Sequence, residues 1–117
     1  MNPLLLMANT LCALLALVAA LLALGRPGLM LRTATVGPEA RFYAQMYAAR
    51  AIPFALAAAL TPFYFHSGAA RLLLIAFALT QLGDAFIGWR RRQWGMVIFP
   101  GLCALVHLAA AHFVMMP

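Results

Sequence analysis

Four long apolar stretches dominate the chain, and short segments rich in polar residues, glycine or proline separate them. The apolar stretches cover about residues 3–24, 39–65, 70–89 and 95–116. At a rise of about 1.5 Å per residue, roughly 20 helical residues cross the ~30 Å hydrocarbon core of a bilayer. The pattern therefore predicts four membrane-spanning helices, which we number spans 1 to 4.

The segments between the spans carry signals that end and begin helices. Gly-Arg-Pro-Gly begins at Gly25 and Gly-Pro ends at Pro38, so residues 25–38 are predicted to form a loop. Ser67-Gly68 predicts a tight turn, and three arginines precede span 4. Short connections place consecutive helices side by side and antiparallel. We expect an all-α, four-helix transmembrane bundle with up-down-up-down topology, as a single domain over residues 1–117.

Composition places the chain in a membrane. It is 67% hydrophobic and 9% charged, whereas soluble domains are about half apolar and about a quarter charged. The formal net charge of +6 comes from eight arginines against two acidic residues. On a soluble protein this balance would suggest nucleic-acid binding. Here most arginines lie at the ends of apolar runs, so we expect contact with membrane lipids and no nucleic-acid partner.

The arginines are distributed unequally between the two ends of the spans. Only Arg71 falls on one side, and the other side holds Arg26, Arg32, Arg41, Arg90, Arg91 and Arg92. The positive-inside rule then predicts cytoplasmic arginine loops, outside N- and C-termini and an inner (cytoplasmic) membrane location. No basic residue precedes span 1, unlike a signal peptide, so we expect span 1 to be retained.

Span 2 carries a charged and aromatic stripe. At about 100° per residue, one side of this helix holds Glu39, Tyr43, Met46, Tyr47, Arg50 and Phe54. Arg50 would lie near the middle of the bilayer, where a charge is costly. Gln81 and Asp84 share a face of span 3, near its cytoplasmic end. Because Arg50 and Asp84 are the two deepest charges and have opposite signs, we expect them to pair.

Two hypotheses account for this pair. In the structural one, it is an interhelical clip between spans 2 and 3, with Tyr47 and Gln81 completing its hydrogen bonds. In the functional one, the same groups line a pocket, where Asp84 or Glu39 is a general acid or base and Arg50 holds an oxyanion. The candidate catalytic residues are then Asp84, Glu39 and Arg50. The candidate substrate-binding residues are Tyr43, Tyr47, Gln81 and His107.

We expect no metal and no other cofactor. The three histidines lack metal-ligand spacing, and His107 and His112 point about 140° apart on one helix. A single transmembrane histidine is more typical of a hydrogen bond between helices. Cys12 and Cys103 lie in separate apolar runs and are expected to be small buried side chains rather than a disulfide framework or a zinc motif.

Two short motifs resemble those of a widespread group of small four-span membrane proteins, found in bacterial and fungal genomes under a domain-of-unknown-function label. They are RFYAQMYAARA at residues 41–51 and QLGDAF at residues 81–86. Typical members carry an Arg in the second span and an Asp late in the third, matched here by Arg50 and Asp84. The resemblance implies a recurring scheme but no reaction. The chain is also similar in size to the small multidrug exporters, but span 1 lacks the glutamate that they carry there.

The leading functional hypothesis is an enzyme that performs acid–base chemistry, such as isomerisation or cyclisation, on a lipophilic small molecule. The alternative is a structural or accessory subunit of a larger membrane complex, in which the charged pair is a clip. A small transporter or lipid carrier, with kinks at Pro53 and Pro100, is the third. Because four helices bury little interior, we expect self-association or a membrane partner subunit.

Overall fold

The protein is a bundle of α-helices. The computed structural model describes residues 1–31 and 34–116, and in these ranges it contains five helices and no β-strand. The helices are α1 (Pro3–Gly25), α2 (Pro27–Leu31), α3 (Pro38–Tyr64), α4 (Gly68–Arg90) and α5 (Gly95–Phe113). All except α2 are long and apolar enough to cross a membrane. The predicted all-α bundle with four spans is confirmed, and the chain is a multi-pass membrane protein.

Two details of the predicted elements are wrong. The five-residue helix α2 occupies part of the stretch predicted to be a loop, and it begins at a proline, whose fixed φ suits the first helical position. Helix α5 ends at Phe113 rather than near residue 116. Arg32, one of the arginines assigned to the cytoplasmic side, lies outside the described residues.

Helix α3 runs without interruption through two prolines, Pro53 and Pro62. A proline has no N–H, so each one leaves the carbonyl four residues earlier without its helical donor. These carbonyls belong to Ala49 and Ala58. In a bilayer such a carbonyl needs a donor from elsewhere, because the lipid offers none.

The spans pack as two close pairs, α1 against α3 and α4 against α5, while α3 and α4 touch sparsely although they are consecutive. Alanines dominate the buried surface, including Ala13 and Ala20 on α1 and Ala48, Ala55 and Ala58 on α3. Small side chains let helix backbones approach closely in lipid, where dispersion and hydrogen bonds drive association. The face of α1 that carries Ala13 and Ala20 is therefore a packing surface of small residues.

Gly88 sets the close approach of α4 and α5 near their connecting turn. A Cβ atom placed on Gly88 would lie 2.8 Å from the Cβ of Met96 and 2.9 Å from its carbonyl oxygen. Any larger residue would therefore force the two backbones apart. The Met96 carbonyl is also the one that Pro100 deprives of its helical donor.

The two cysteines meet at the interface between α1 and α5. The Cys103 thiol points at the Cys12 carbonyl oxygen at 4.0 Å, so the two residues are neighbours across this interface. Both are free thiols, Cys103 buried and Cys12 half-buried. The sequence had placed both as small buried side chains but had not placed them together.

A membrane-permeant oxidant such as iodine is expected to link Cys12 to Cys103 within one molecule, because contacting thiols need little backbone movement to form a disulfide. Intact-mass spectrometry would detect the loss of two hydrogen atoms and the loss of thiol alkylation. The Cys12→Ser variant is the control and should form no internal bridge. Exclusively intermolecular bridges in the unmodified protein would contradict this packing of α1 on α5.

Candidate functional site

The predicted ion pair between α3 and α4 is present. Nη2 of Arg50 lies 3.8 Å from Oδ1 of Asp84. The Arg50 side chain is 55% exposed and that of Asp84 is 26% exposed. At this distance the pair is an electrostatic contact rather than a hydrogen bond. In the described part of the protein, neither side chain makes a hydrogen bond, so both retain capacity for further partners.

The antiparallel course of α3 and α4 brings the two charges level. The turn after Tyr64 is short, so a later position on α3 faces an earlier position on α4. Phe54, one turn after Arg50, stacks on Phe77, two turns before Asp84, with ring centroids 6.0 Å apart and planes inclined by 3°. The contacts described between these helices at this level are thus made by long side chains, consistent with their sparse contact.

Tyr47 and Gln81 flank the pair in different ways. Tyr47 is half-buried and lies within electrostatic reach of both Arg50 and Asp84. Gln81 is 5% exposed, and its Oε1 has no hydrogen-bond partner within the described residues. We expected both side chains to complete the hydrogen bonds of the pair. In the structure both side chains lie near the Arg50–Asp84 pair, but neither forms a hydrogen bond with it in the described residues.

Glu39 and Tyr43 lie away from the pair, on the exposed first turns of α3. Glu39 is exposed and makes no ion pair in the ranges described. Tyr43 is 67% exposed and contacts only the edge of Phe42 among aromatic rings. The other stripe residue, Met46, is also exposed. The buried face of α3 is its alanine face, and the stripe borders it.

His107 belongs to a separate buried cluster. Its Nδ1 lies 2.7 Å from Oδ1 of Asn9, and both residues are fully buried. Because the amide oxygen can only accept, Nδ1 of His107 carries the proton and donates it. The ring also packs against Phe77, with centroids 5.0 Å apart. Phe77 is seven residues from Asp84, so His107 lies about 10 Å from the level of the charged pair.

Asn9 extends this cluster to α3. Its Nδ2 donates to the carbonyl oxygen of Ala58 at 2.9 Å, the carbonyl that Pro62 leaves without a helical donor. One buried amide on α1 thus forms hydrogen bonds with both α3 and α5. The sequence contained the signal for this contact: Pro62 exposes an acceptor, and Asn9 is the polar residue on the small-residue face of span 1.

Nε2 of His107 is buried and lacks a hydrogen-bond partner in the described residues, like Oε1 of Gln81. The first atom is on α5, in a ring that packs on Phe77, and the second is on α4, one turn after Phe77. No three metal-ligating side chains are grouped together in residues 1–31 and 34–116. The polar residues within the spans therefore form two groups. The Asn9–His107 cluster is buried and joins helices, whereas the Arg50–Asp84 pair is partly exposed at the surface of the bundle.

Replacing Asn9 by alanine is expected to lower the free energy of unfolding by about 1–3 kcal/mol, because it removes two interhelical hydrogen bonds and leaves the buried Nδ1–H of His107 unpaired. Unfolding in mixed micelles would measure it. Thr10→Val is the matched control, since the Thr10 hydroxyl bonds only Leu6 of its own helix and its loss should change stability little.

The same experiment in a Pro62→Ala background tests the role of the proline. Alanine restores the N–H that satisfies the Ala58 carbonyl, so the Asn9→Ala penalty should become smaller. An equal penalty in both backgrounds would show that Asn9 does not compensate for Pro62.

Comparison with known proteins gives no family for this chain. No protein-family model matches it, and neither a curated protein nor a solved structure does.

Proposed function

We propose that the protein binds a lipophilic molecule with a polar or anionic head between α3 and α4, and performs acid–base chemistry on it. The observation that carries the proposal is the exposed, loosely held Arg50 beside Asp84. Isomerisation and cyclisation are reactions that such groups can serve without a cofactor.

Membrane depth makes the exposure significant. Asp84 lies six residues before Arg90, or about 9 Å along the helix axis from the helix end, and Arg50 lies about 13 Å beyond Arg41. Placing an arginine at the bilayer centre costs about 2.5–3.5 kcal/mol on insertion scales. A half-exposed guanidinium at this depth therefore favours an amphiphilic occupant that shields it and supplies an acceptor.

The geometry of the pair favours a site over a clip. A pair that holds two helices together would be expected to be short, bidentate and buried. Here the closest approach is 3.8 Å, and more than half of the Arg50 side chain is accessible. Because α3 and α4 touch sparsely, a lipid-like chain beside them would not have to displace close helix packing.

The roles follow from the chemistry of each group. Arg50 would bind the anionic head or stabilise an oxyanion, because its planar donors fit such groups. Asp84 would accept and return the proton, and Tyr47 would orient the head. Gln81, with its unpartnered oxygen, would accept a hydrogen bond from the substrate. Glu39 and Tyr43 would act only at the entrance on the cytoplasmic side, and His107 would contribute through Phe77 rather than directly.

An accessory-subunit role is the second candidate, and the same exposed Arg50 motivates it. A partner helix with an acceptor could cover the guanidinium in place of a small molecule. The resemblance to small four-span proteins of unknown function fits either role, because it implies no particular reaction. A transporter or carrier role would need the prolines of α3 and α5 to act as hinges.

Asp84→Asn is expected to reduce turnover of lipid or isoprenoid substrates by about 10²–10⁴-fold, the usual contribution of an acid–base group. Arg50→Gln should weaken binding of the anionic head, seen as loss of co-purified ligand by native mass spectrometry. Both variants should keep the unfolding free energy of the unmodified protein within about 1 kcal/mol, since the pair is loose.

The charge-swapped protein Arg50→Asp/Asp84→Arg separates the two roles. An interhelical clip would survive the exchange, whereas a site with a directed donor and base would not. Full function in the swapped protein, or turnover unaffected by either single substitution, would contradict the enzymatic proposal. A stoichiometric partner retained in mild detergent and lost from Arg50→Gln would favour the accessory role.

We also propose an inner-membrane location with the arginine loops in the cytoplasm and both termini outside. The turn at Ser67 should then be external. In a cysteine-free background, Ser67→Cys should react with an impermeant maleimide in intact cells and Arg91→Cys should react only after lysis. The reverse labelling pattern would contradict this orientation.

A further inference from the structure

An open surface depression of about 390 Å³ lies at the end of α4, lined by Trp89, Arg90, Arg92 and Trp94. Two arginines and two tryptophans therefore line one depression. Helix α4 spans the membrane and ends at Arg90, so the depression is at the level of the lipid headgroups. Tryptophan and arginine both favour this level.

Backbone hydrogen bonds fix the turn between α4 and α5 that carries these residues. The N–H of Arg92 donates to the Trp89 carbonyl at 3.1 Å, and that of Gln93 donates to the Gly88 carbonyl at 2.9 Å. Arg92 has a φ of 55°, the left-handed conformation that non-glycine residues seldom adopt. These N–H groups bond within the turn, so an incoming anion would meet the arginine side chains.

The charge of the depression is not neutralised from within the described residues. Asp84 is paired with Arg50, and Glu39 makes no ion pair with any residue in the ranges 1–31 and 34–116. These are the only acidic side chains in the chain. Arg90 and Arg92 thus have no carboxylate partner among the residues that the structure describes, and guanidinium groups bind phosphate through forked hydrogen bonds.

We propose that this depression binds the phosphate head of an anionic membrane phospholipid, with the indole rings packed along the glycerol and upper acyl chain. The phosphate group is the anion available at this depth, and basic pockets at the ends of spans are suited to such heads. Arg91 lies in the same turn but does not line the depression. This distinguishes a defined site from a general attraction of the basic turn to the bilayer. The site is separate from the Arg50–Asp84 pair and does not depend on the function proposed for it.

Tryptophan fluorescence reports directly on this site, because the only two tryptophans of the chain both line it. The full-length protein is placed in vesicles containing equal amounts of phosphatidylglycerol and phosphatidylcholine. Two vesicle preparations are compared, one with brominated acyl chains on phosphatidylglycerol and one with them on phosphatidylcholine. Because the lipid proportions are the same in both, the surface potential is the same. Stronger quenching by brominated phosphatidylglycerol measures its enrichment next to the rings.

We expect roughly tenfold enrichment of phosphatidylglycerol at the site, from two arginines near the surface. Arg90→Gln/Arg92→Gln should remove it. The matched control Arg26→Gln/Arg91→Gln loses the same charge from exposed arginines outside the depression and should retain it. If the first double variant fails to fold, the single Arg90→Gln and Arg92→Gln proteins should each lose a large part of the enrichment.

Three results would overturn the proposal. The first is equal quenching by both brominated lipids in the unmodified protein. The second is an equal loss of enrichment in the two double variants, which would indicate a diffuse basic surface. The third is abolition of the enrichment by millimolar inorganic phosphate at constant ionic strength, which would assign the depression to a soluble phosphate compound.

Discussion

The hydrogen bonds of one buried amide hold the centre of this bundle together. Asn9 donates to the Ala58 carbonyl on α3 and accepts from His107 on α5. The first bond exists because Pro62 leaves that carbonyl without a donor. In a bilayer, where lipid chains compete equally well for apolar surface, such bonds and close alanine contacts are what distinguish one helix arrangement from another. Pro62 removes a hydrogen bond from α3 and thereby creates the acceptor through which α1 binds α3.

Because this central cluster holds the helices together, the Arg50–Asp84 pair is not needed for that purpose. Asn9 and His107 fix α1, α3 and α5 relative to one another, and Gly88 fixes α4 against α5. Helices α3 and α4 consequently need little direct contact. The Arg50–Asp84 pair bridges a weakly packed boundary and remains accessible from outside. The contacts that stabilise the bundle thus join α1 to α3 and α5, and α4 to α5, whereas the candidate catalytic pair lies between α3 and α4.

The basic turn after α4 has a different physical basis. In the sequence, its three arginines served only as a topology signal. Composition alone does not show whether such a row of arginines forms a binding site. Arg90 and Arg92 line one depression together with the two tryptophans, and Arg91 does not. The proposed lipid site therefore depends on the shape of the turn in addition to its charge.

The sequence alone determined the fold class, the four spans and the partnership of Arg50 with Asp84. Apolar run length and the cost of unpaired charge in lipid allow few alternatives. It did not determine the short helix α2, the exposure of Tyr43 and Glu39, or the meeting of Cys12 with Cys103. Helical periodicity gives the direction of a side chain relative to its own helix, but not which neighbour lies there. For the stripe that begins at Glu39, tertiary packing decided the outcome: the alanine face of α3 packs more closely, so the stripe borders the interface and leaves Arg50 half-exposed.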